Sequence, residues 1–482
     1  MKPTDELREI AGIFETYLEQ ADSRPSPIKI TPLKELINSL QAEKWVKQGG
    51  LQGDALKEFL PLYLDAAINL RHPHNMNHQV SVPVEASGTA GAITGMLSNP
   101  MNIYEMGPGA AALEFFLINY FLQIVGWQPQ VYPDEEQIME TGGGVLTHGG
   151  SLANLTALVA ARSRWQRAQK DAAKSASSAD SPNYLNGAGA SKPIILCSDV
   201  SHYSIAKSTF IMGMECRSMP SDECGRTKPQ ALTQAINECA ANNESIVAVV
   251  ASICNTPVGY FDPLEELAAI CDQHNLWLHA DGAHGASLLL SPKYKHLLKG
   301  IDKVASVTWD AHKMLRTNGV CTMLLVRDRA DLDLAFNHDA SYLFHDKDQT
   351  GFDFLNRSFE CTKAGIGFNF FHALAYQGID AVGSYVTDLC DITLKAFEIF
   401  SDDNFHCALE PQCNVLCFRP SNDMDDATIL RLRDRLMDAG YPISSTVFKD
   451  TRWLRLAIMS PKTKEQHLTQ LHKKILEFLP VL

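Results

Sequence analysis

The five residues Trp309-Asp310-Ala311-His312-Lys313 follow an apolar run at 304–307 and lie about thirty positions after His279-Ala280-Asp281. A lysine behind a histidine at one strand end, with an acid closing an earlier strand, is what pyridoxal phosphate (PLP) chemistry requires. The amine forms a Schiff base with the aldehyde, and the acid pairs with the pyridinium nitrogen. His-Lys alone is a common surface pair, so the reading rests on its companions.

The stretch Thr141-Gly-Gly-Gly-Val-Leu-Thr-His-Gly-Gly-Ser-Leu-Ala-Asn154 runs into a helical pattern at 155–162. Glycines and a serine at a helix start offer free backbone N–H groups and the positive end of the dipole, which together hold a phosphate. The plain alternative is a flexible turn. The spacing fits neither GxxxxGK[ST] nor GxGxxG after a strand, which disfavours a nucleoside triphosphate or dinucleotide. Gly107-Pro108-Gly109 reads as a turn. Cys197-Ser-Asp-Val-Ser-His202 follows a strand end, where ligand groups gather in open parallel sheets. His202 can lie flat over an aromatic cofactor or be an ordinary loop histidine. After another strand, Asn255-Thr-Pro-Val-Gly-Tyr-Phe-Asp262 places Thr256 to donate a hydrogen bond; otherwise it is a Pro/Gly turn with a helix cap at Asp262.

The elements that must position these residues fall into three parts: a helical N-terminal segment at 1–105, a large domain at 106–385 and a small α+β domain at 386–482. Apolar positions recur every three or four residues at 32–40 and 55–63, the helical period. Continuous apolar runs at 193–197, 246–253, 276–281 and 322–326 alternate with helical patterns and predict a buried, mostly parallel sheet. The C-terminal part reads strand 414–418, helix 427–439, strand 453–458 and a closing helix. Residues 170–192, rich in Ala, Ser, Gly and Asn, predict a surface loop.

Composition bounds the function. The 482 residues are 45% hydrophobic and 20% charged, as in a globular protein with a large core. The N-terminus has no apolar leader, and twelve cysteines lack a short-spaced CxxC pair, so the expectation is free thiols and the cytoplasm. A net charge of −14 without a basic run argues against nucleic acid and anionic membrane as partners. The segment Arg71-His-Pro-His-Asn-Met-Asn-His78 and the pair His279 and His284 suggest zinc at first sight, but a His-x-His spacing in a Pro-containing turn lacks an evident third and fourth ligand, and no metal is expected.

Taken together, Gly149-Gly-Ser-Leu-Ala-Asn154, Ser198-Asp-Val-Ser-His202, His279-Ala-Asp-Gly-Ala283 and Ser306-Val-Thr-Trp-Asp-Ala-His-Lys313 resemble the group II PLP-dependent amino acid decarboxylases in order and near spacing. That family comprises glutamate, cysteine sulfinate, aromatic amino acid and 2,4-diaminobutyrate decarboxylases. The likeness runs from about Pro73 to the segment around Trp453. It implies an α/β PLP fold-type I architecture, like aspartate aminotransferase, with a seven-stranded large-domain sheet. It also implies a homodimer with shared active sites, the N-terminal segment packing on the partner. By the same resemblance Lys313 is the Schiff-base lysine, Asp281 the partner of the ring nitrogen and His202 the ring stacked on the cofactor. Ala283 leaves room on the other face, Gly150, Ser151 and His312 line the phosphate, and Thr256 lies near the cofactor's phenolic oxygen or the substrate. Tyr342, on the loop Asp339-Ala-Ser-Tyr-Leu-Phe-His345, is the proton donor to Cα. Many relatives have Asn-Pro before His-Lys where this chain has Asp310-Ala311, and an acid beside a phosphate should repel it unless turned away or protonated.

The expected activity is decarboxylation of an L-amino acid, leaning to an acidic substrate: glutamate, aspartate or cysteine sulfinate. An aromatic amino acid or 2,4-diaminobutyrate is the alternative, since Tyr104 and Glu105 lie in the stretch that usually shapes the side-chain pocket. Another fold-type I enzyme, an aldehyde synthase or carbon–carbon lyase, is a further alternative, and Tyr342 weighs against the synthase. A catalytically silent interaction protein is disfavoured because no core cofactor residue is missing. Arg455, in an alternating strand, could bind a carboxylate but reads as structural.

Overall fold

The computed structural model describes residues 3–21, 23–101, 103–131, 141–175, 192–336, 351–422 and 424–481. The chain divides into two compact units, Ser81–Asp388 and Met1–Val80 with Leu389–Leu482.

The first unit is built on seven strands: β1 Gly143–Thr147, β2 Lys192–Ser198, β3 Glu215–Met219, β4 Glu244–Ser252, β5 Trp277–Asp281, β6 Ser306–Asp310 and β7 Thr322–Val326. They lie in the order β1-β7-β6-β5-β4-β2-β3. Only β7 runs against its neighbours. Every residue of β1, β6 and β7 is buried; β7, Thr-Met-Leu-Leu-Val, reads as the near-continuous apolar run expected of a strand covered on both faces, whereas β6, Ser-Val-Thr-Trp-Asp, alternates although both its faces are buried. The parallel strands bring their carboxyl ends to one edge. Ser252 pairs with Asp281, and Asp281 with Thr308 two residues before the end of β6.

Helix Pro108–Val125 packs on β1 and β7 through a face that includes Leu117, Phe121 and Leu122. By length and composition alone it could cross a membrane, the only such helix among the described residues. Helix Gly150–Ser175 packs on β4, β5, β6 and β7. It continues past Lys170, where a loop was expected, because the Ala- and Lys-rich sequence after Arg167 favours helix. The rest of the expected loop, 176–191, lies outside the described residues. The strand carrying Asp310 begins at Ser306 rather than at 304, with Val304 and Ala305 buried ahead of it.

The second unit pairs N-terminal helices Pro3–Ala21, Leu33–Ser39, Ala42–Gln48 and Asp54–Asp65 with an antiparallel sheet. Its strands are β8 Phe405–Cys407, β9 Val415–Pro420, β10 Ser444–Phe448 and β11 Thr451–Ala457, in the order β10-β11-β9-β8. Arg455 is buried here, donating to Gln79 Oε1 at 2.9 Å and Ser444 Oγ at 3.4 Å.

Candidate active site

Lys313 stands on the turn after β6. The Trp309 indole anchors that strand end, donating to Ser287 Oγ at 2.9 Å and meeting Phe121 edge-on. The turn is clasped on several sides: the Ala311 and His312 amides donate to Cys321 O, and the Ser81 amide donates to His312 O. His312 Nδ1 lies 2.8 Å from the same Cys321 carbonyl. Lys313 Nζ is 3.2 Å from Asp310 Oδ2, whose other oxygen accepts from Thr322 Oγ1 at 2.5 Å. His312 Nε2 is 3.6 Å from Asp310 Oδ2, beyond hydrogen-bond range. The acid at this unusual position is therefore turned onto a threonine hydroxyl and the lysine.

Helix Gly150–Ser175 starts directly against this carboxylate. A Cβ on Gly150 would lie 3.0 Å from Asp310 Oδ1 and 3.4 Å from Ala283 Cβ, so glycine is what lets the helix start approach the β6 end. Gly149 has φ +107°, a left-handed conformation suited to glycine. Leu152 and Ala153 donate to Gly149 O, which leaves the Gly150 and Ser151 amides ahead of the first bonded turn.

Asp281 closes β5. Its Oδ2 accepts from Asn154 Nδ2 at 2.9 Å and its Oδ1 from the Ala283 amide at 3.3 Å. His202 caps helix Tyr203–Ile211, its Nδ1 accepting from the Ser204 amide at 3.3 Å and lying 2.8 Å from Ser204 Oγ. Burial pushes the His202 imidazole below its ordinary value, the Asp281 charge opposes this, and Lys313 pushes it further down. These charges place His202, Asp281, Lys313 and Asp310 in one electrostatic neighbourhood.

Thr256 is exposed on the turn after β4, held by Asn255 Oδ1 accepting from the Val258 and Gly259 amides, and it makes no contact that ties it to Lys313. Asp262 is no helix cap. It is buried, accepts from Thr227 and the Ser252 amide, and its carboxyl is pushed up to about 6 by burial. His279 is fully buried within β5, and burial lowers its imidazole to about 4. Its ring nitrogens bond Ser306 Oγ and Asn154 Oδ1 at 2.7 and 3.0 Å, so it belongs to a hydrogen-bond network inside the sheet. Asn154 joins that network to Asp281. Asn154 closes the glycine-rich motif, and its spacing one helical turn after Gly150 is the signal in the sequence that it faces the same strand end. Tyr342 lies outside the described residues.

An amine, an opposed acid, a planar imidazole and a helix start stripped of side chains form the set that a phosphate-bearing pyridine aldehyde needs. The match to the pyridoxal-dependent decarboxylase conserved domain spans residues 64–421. The chain belongs to the pyridoxal-dependent decarboxylases: its cofactor is PLP and its reaction is the decarboxylation of an amino acid. It is 26% identical over 413 residues to acidic amino acid decarboxylase GADL1 of Bos taurus, covering 84% of this chain and 74% of that one. It is also 26% identical over 330 residues to aromatic-L-amino-acid decarboxylase of Drosophila lebanonensis, covering 68% and 79%. Among solved structures it resembles Oryza sativa TDC with PLP and tryptamine, with a TM-score of 0.84, 21% identity and 98% of both chains covered. Mouse CSAD gives a TM-score of 0.81 at 22% identity, again over 98% of both chains. The fold is the fold-type I architecture, as expected.

Proposed function

We propose that this chain decarboxylates an acidic L-amino acid and that Lys313 is the amine carrying the cofactor. The observation that carries the residue assignment is the convergence of Lys313, Asp281, His202 and the bare Gly150 helix start on one sheet edge. The acidic substrate is supported by the likeness to GADL1 from cattle.

Bound PLP supplies an electron sink for the pair released when the Cα–carboxylate bond breaks. The chain supplies the rest. Asp281, fixed by Asn154 and the Ala283 amide, holds a proton on the ring nitrogen. His202 covers one ring face, while Ala283 leaves space on the other. The Gly150 and Ser151 amides and His312 take the phosphate, and Thr256 serves the phenolic oxygen or the substrate from its exposed turn. Tyr342 returns the proton to Cα. Asp310 draws the Lys313 ammonium into position in the unloaded enzyme.

The reading extends to a cytoplasmic homodimer. Supporting this, the described cysteines are all free thiols. Exposed Ile93, Met96, Leu97 and Phe116 present apolar surface near a cleft of about 820 Å³ lined by helices Glu85–Leu97 and Gly367–Gln377. Light scattering of the purified chain tests the dimer. A panel of L-amino acids assayed for CO₂ release tests the substrate, with glutamate, aspartate and cysteine sulfinate expected above aromatic amino acids and 2,4-diaminobutyrate. Lys313→Ala should abolish turnover and the borohydride-reducible chromophore; a reducible adduct at another lysine would overturn the assignment.

A further inference from the structure

Asn154 is almost wholly buried, and its amide uses every hydrogen-bonding position it has. Its Nδ2 donates to Asp281 Oδ2 at 2.9 Å and to Ser204 Oγ at 3.0 Å. Its Oδ1 accepts from Thr308 Oγ1 at 2.7 Å and from His279 Nε2 at 3.0 Å. The orientation is fixed by chemistry, because the flipped amide would set its carbonyl oxygen against the Asp281 carboxylate. We infer that Asn154 is a positioning residue that couples Asp281 to His202 through Ser204 and sets which nitrogen of His202 carries the proton. This rests on the roles proposed above for Asp281 and His202.

The direction of each bond follows. Ser204 Oγ receives an N–H from Asn154, so its own hydrogen is free to point at His202 Nδ1, 2.8 Å away. The Ser204 amide also points at Nδ1, at 3.3 Å. That nitrogen is therefore an acceptor, and the proton of the neutral imidazole sits on Nε2. On the other side of the amide, Asn154 Oδ1 can only accept, which puts the His279 proton on Nε2. His279 Nδ1 then accepts from the Ser306 hydroxyl, which itself accepts from Trp277 Nε1 at 2.9 Å. One amide thus orients the acid meant for the ring nitrogen and the imidazole meant for the ring face. Both nitrogen assignments can be read in the unloaded chain.

The test is the imidazole nitrogen spectrum of the full-length chain labelled with ¹⁵N-histidine, the His202 signals being identified by their loss in His202→Asn. Wild type should show His202 as a single tautomer protonated at Nε2. In Asn154→Asp the new carboxylate accepts the Ser204 hydroxyl hydrogen, so Ser204 Oγ becomes an acceptor and the His202 proton should move to Nδ1. Adding Ser204→Ala removes the link, and Asn154→Asp should then no longer move that proton. If the second carboxylate prevents folding, Ser204→Ala carries the test alone. It leaves only the weak amide donor on Nδ1 and should turn the single tautomer into a mixture. A wild type protonated at Nδ1, an Asn154→Asp variant with the wild-type tautomer, or an unchanged tautomer in Ser204→Ala would each overturn the inference. None of these spectra involves the cofactor. If instead the tautomers behave as stated while Asp281→Asn binds PLP with wild-type affinity and spectrum, the coupling stands and the proposed role of Asp281 falls.

Discussion

Lys363→Met should destabilise the Ser81–Asp388 unit far more than its position outside the catalytic cluster suggests. Lys363 and Glu114 are buried side chains 2.5 Å apart, with about 1% and 0% of their surface exposed. Glu114 Oε1 also accepts from the Leu146 amide at 2.8 Å, and Lys363 Nζ donates to the Leu146 carbonyl at 2.7 Å. Removing one partner strands the other as an unpaired buried charge, a loss of about 3–5 kcal/mol, whereas replacing both by apolar groups is often neutral. The sign of the pH dependence follows from Glu114. Burial pushes its carboxyl up, with Lys363 opposing, and loss of Lys363 should raise it further. A carboxyl raised in the folded state binds a proton that the unfolded chain has released, so stability falls as pH rises through that window. The deficit of Lys363→Met should therefore be full-sized at neutral pH and shrink as the pH falls to about 4.5. Denaturant titrations of wild type, Lys363→Met and the double variant Glu114→Gln/Lys363→Met at several pH values measure it. The double variant should recover most of the loss. Because the pair holds both the amide and the carbonyl of Leu146, four residues before Gly150, weaker PLP binding should accompany the deficit. A deficit below about 1 kcal/mol, or one that does not change with pH, would refute the reasoning.

Asp281→Asn should lower turnover by at least about tenfold with PLP still bound, since each pKa unit of lost support for the ring proton is worth about 1.4 kcal/mol; near-normal kcat would remove Asp281 from that role. Asp310→Asn keeps the side chain's shape and can keep its Thr322 contact but removes a negative charge beside the Gly150 amides, so stopped-flow capture of PLP by the unloaded chain should speed up. Slower capture would mean that docking the lysine ammonium outweighs repulsion of the phosphate. Tyr342→Phe should leave PLP binding intact and, with dissolved O₂ as the oxidant and water as co-reactant, divert product from amine to aldehyde, ammonia and hydrogen peroxide, measured by chromatography with a peroxide assay. Amine formation at the wild-type rate would assign the proton to another group.

What could be read from the chain was whatever is local. Periodicity and strand-end position located the sheet, and residue types at strand ends located Lys313, Asp281 and His202. Thr322–Val326 appears as a strand with the bounds expected. The partners lying far apart in sequence were not readable. Glu114 and Lys363 are separated by 249 positions, and nothing in either segment announces the other. Charge alone predicts that Asp310 repels a phosphate, whereas the positions of Thr322 and Lys313, which the local sequence does not encode, place the acid on a hydroxyl and an ammonium. Asp262 looked like a cap because acids often precede helices, yet three donors from two other segments hold it inside.

The geometry that unites these residues is a match between two periods. Gly150 and Asn154 are four residues apart on one helix, an axial rise of about 6 Å. Thr308 and Asp310 are two apart on one strand and share a face, a rise of about 6.6 Å. Asn154 meets Thr308 and Gly150 meets Asp310, so one turn of helix lies along one period of strand. Asp281 is level with Thr308 in the neighbouring strand and therefore falls to Asn154, while Lys313 emerges beyond Asp310 at the helix start. A one-residue slip of β6 would turn the indole of Trp309 toward Gly150 and carry Asp310 to the opposite face. The buried indole, bonded to Ser287 and meeting Phe121 edge-on, opposes that slip and so fixes which residues of β6 face the start of helix Gly150–Ser175.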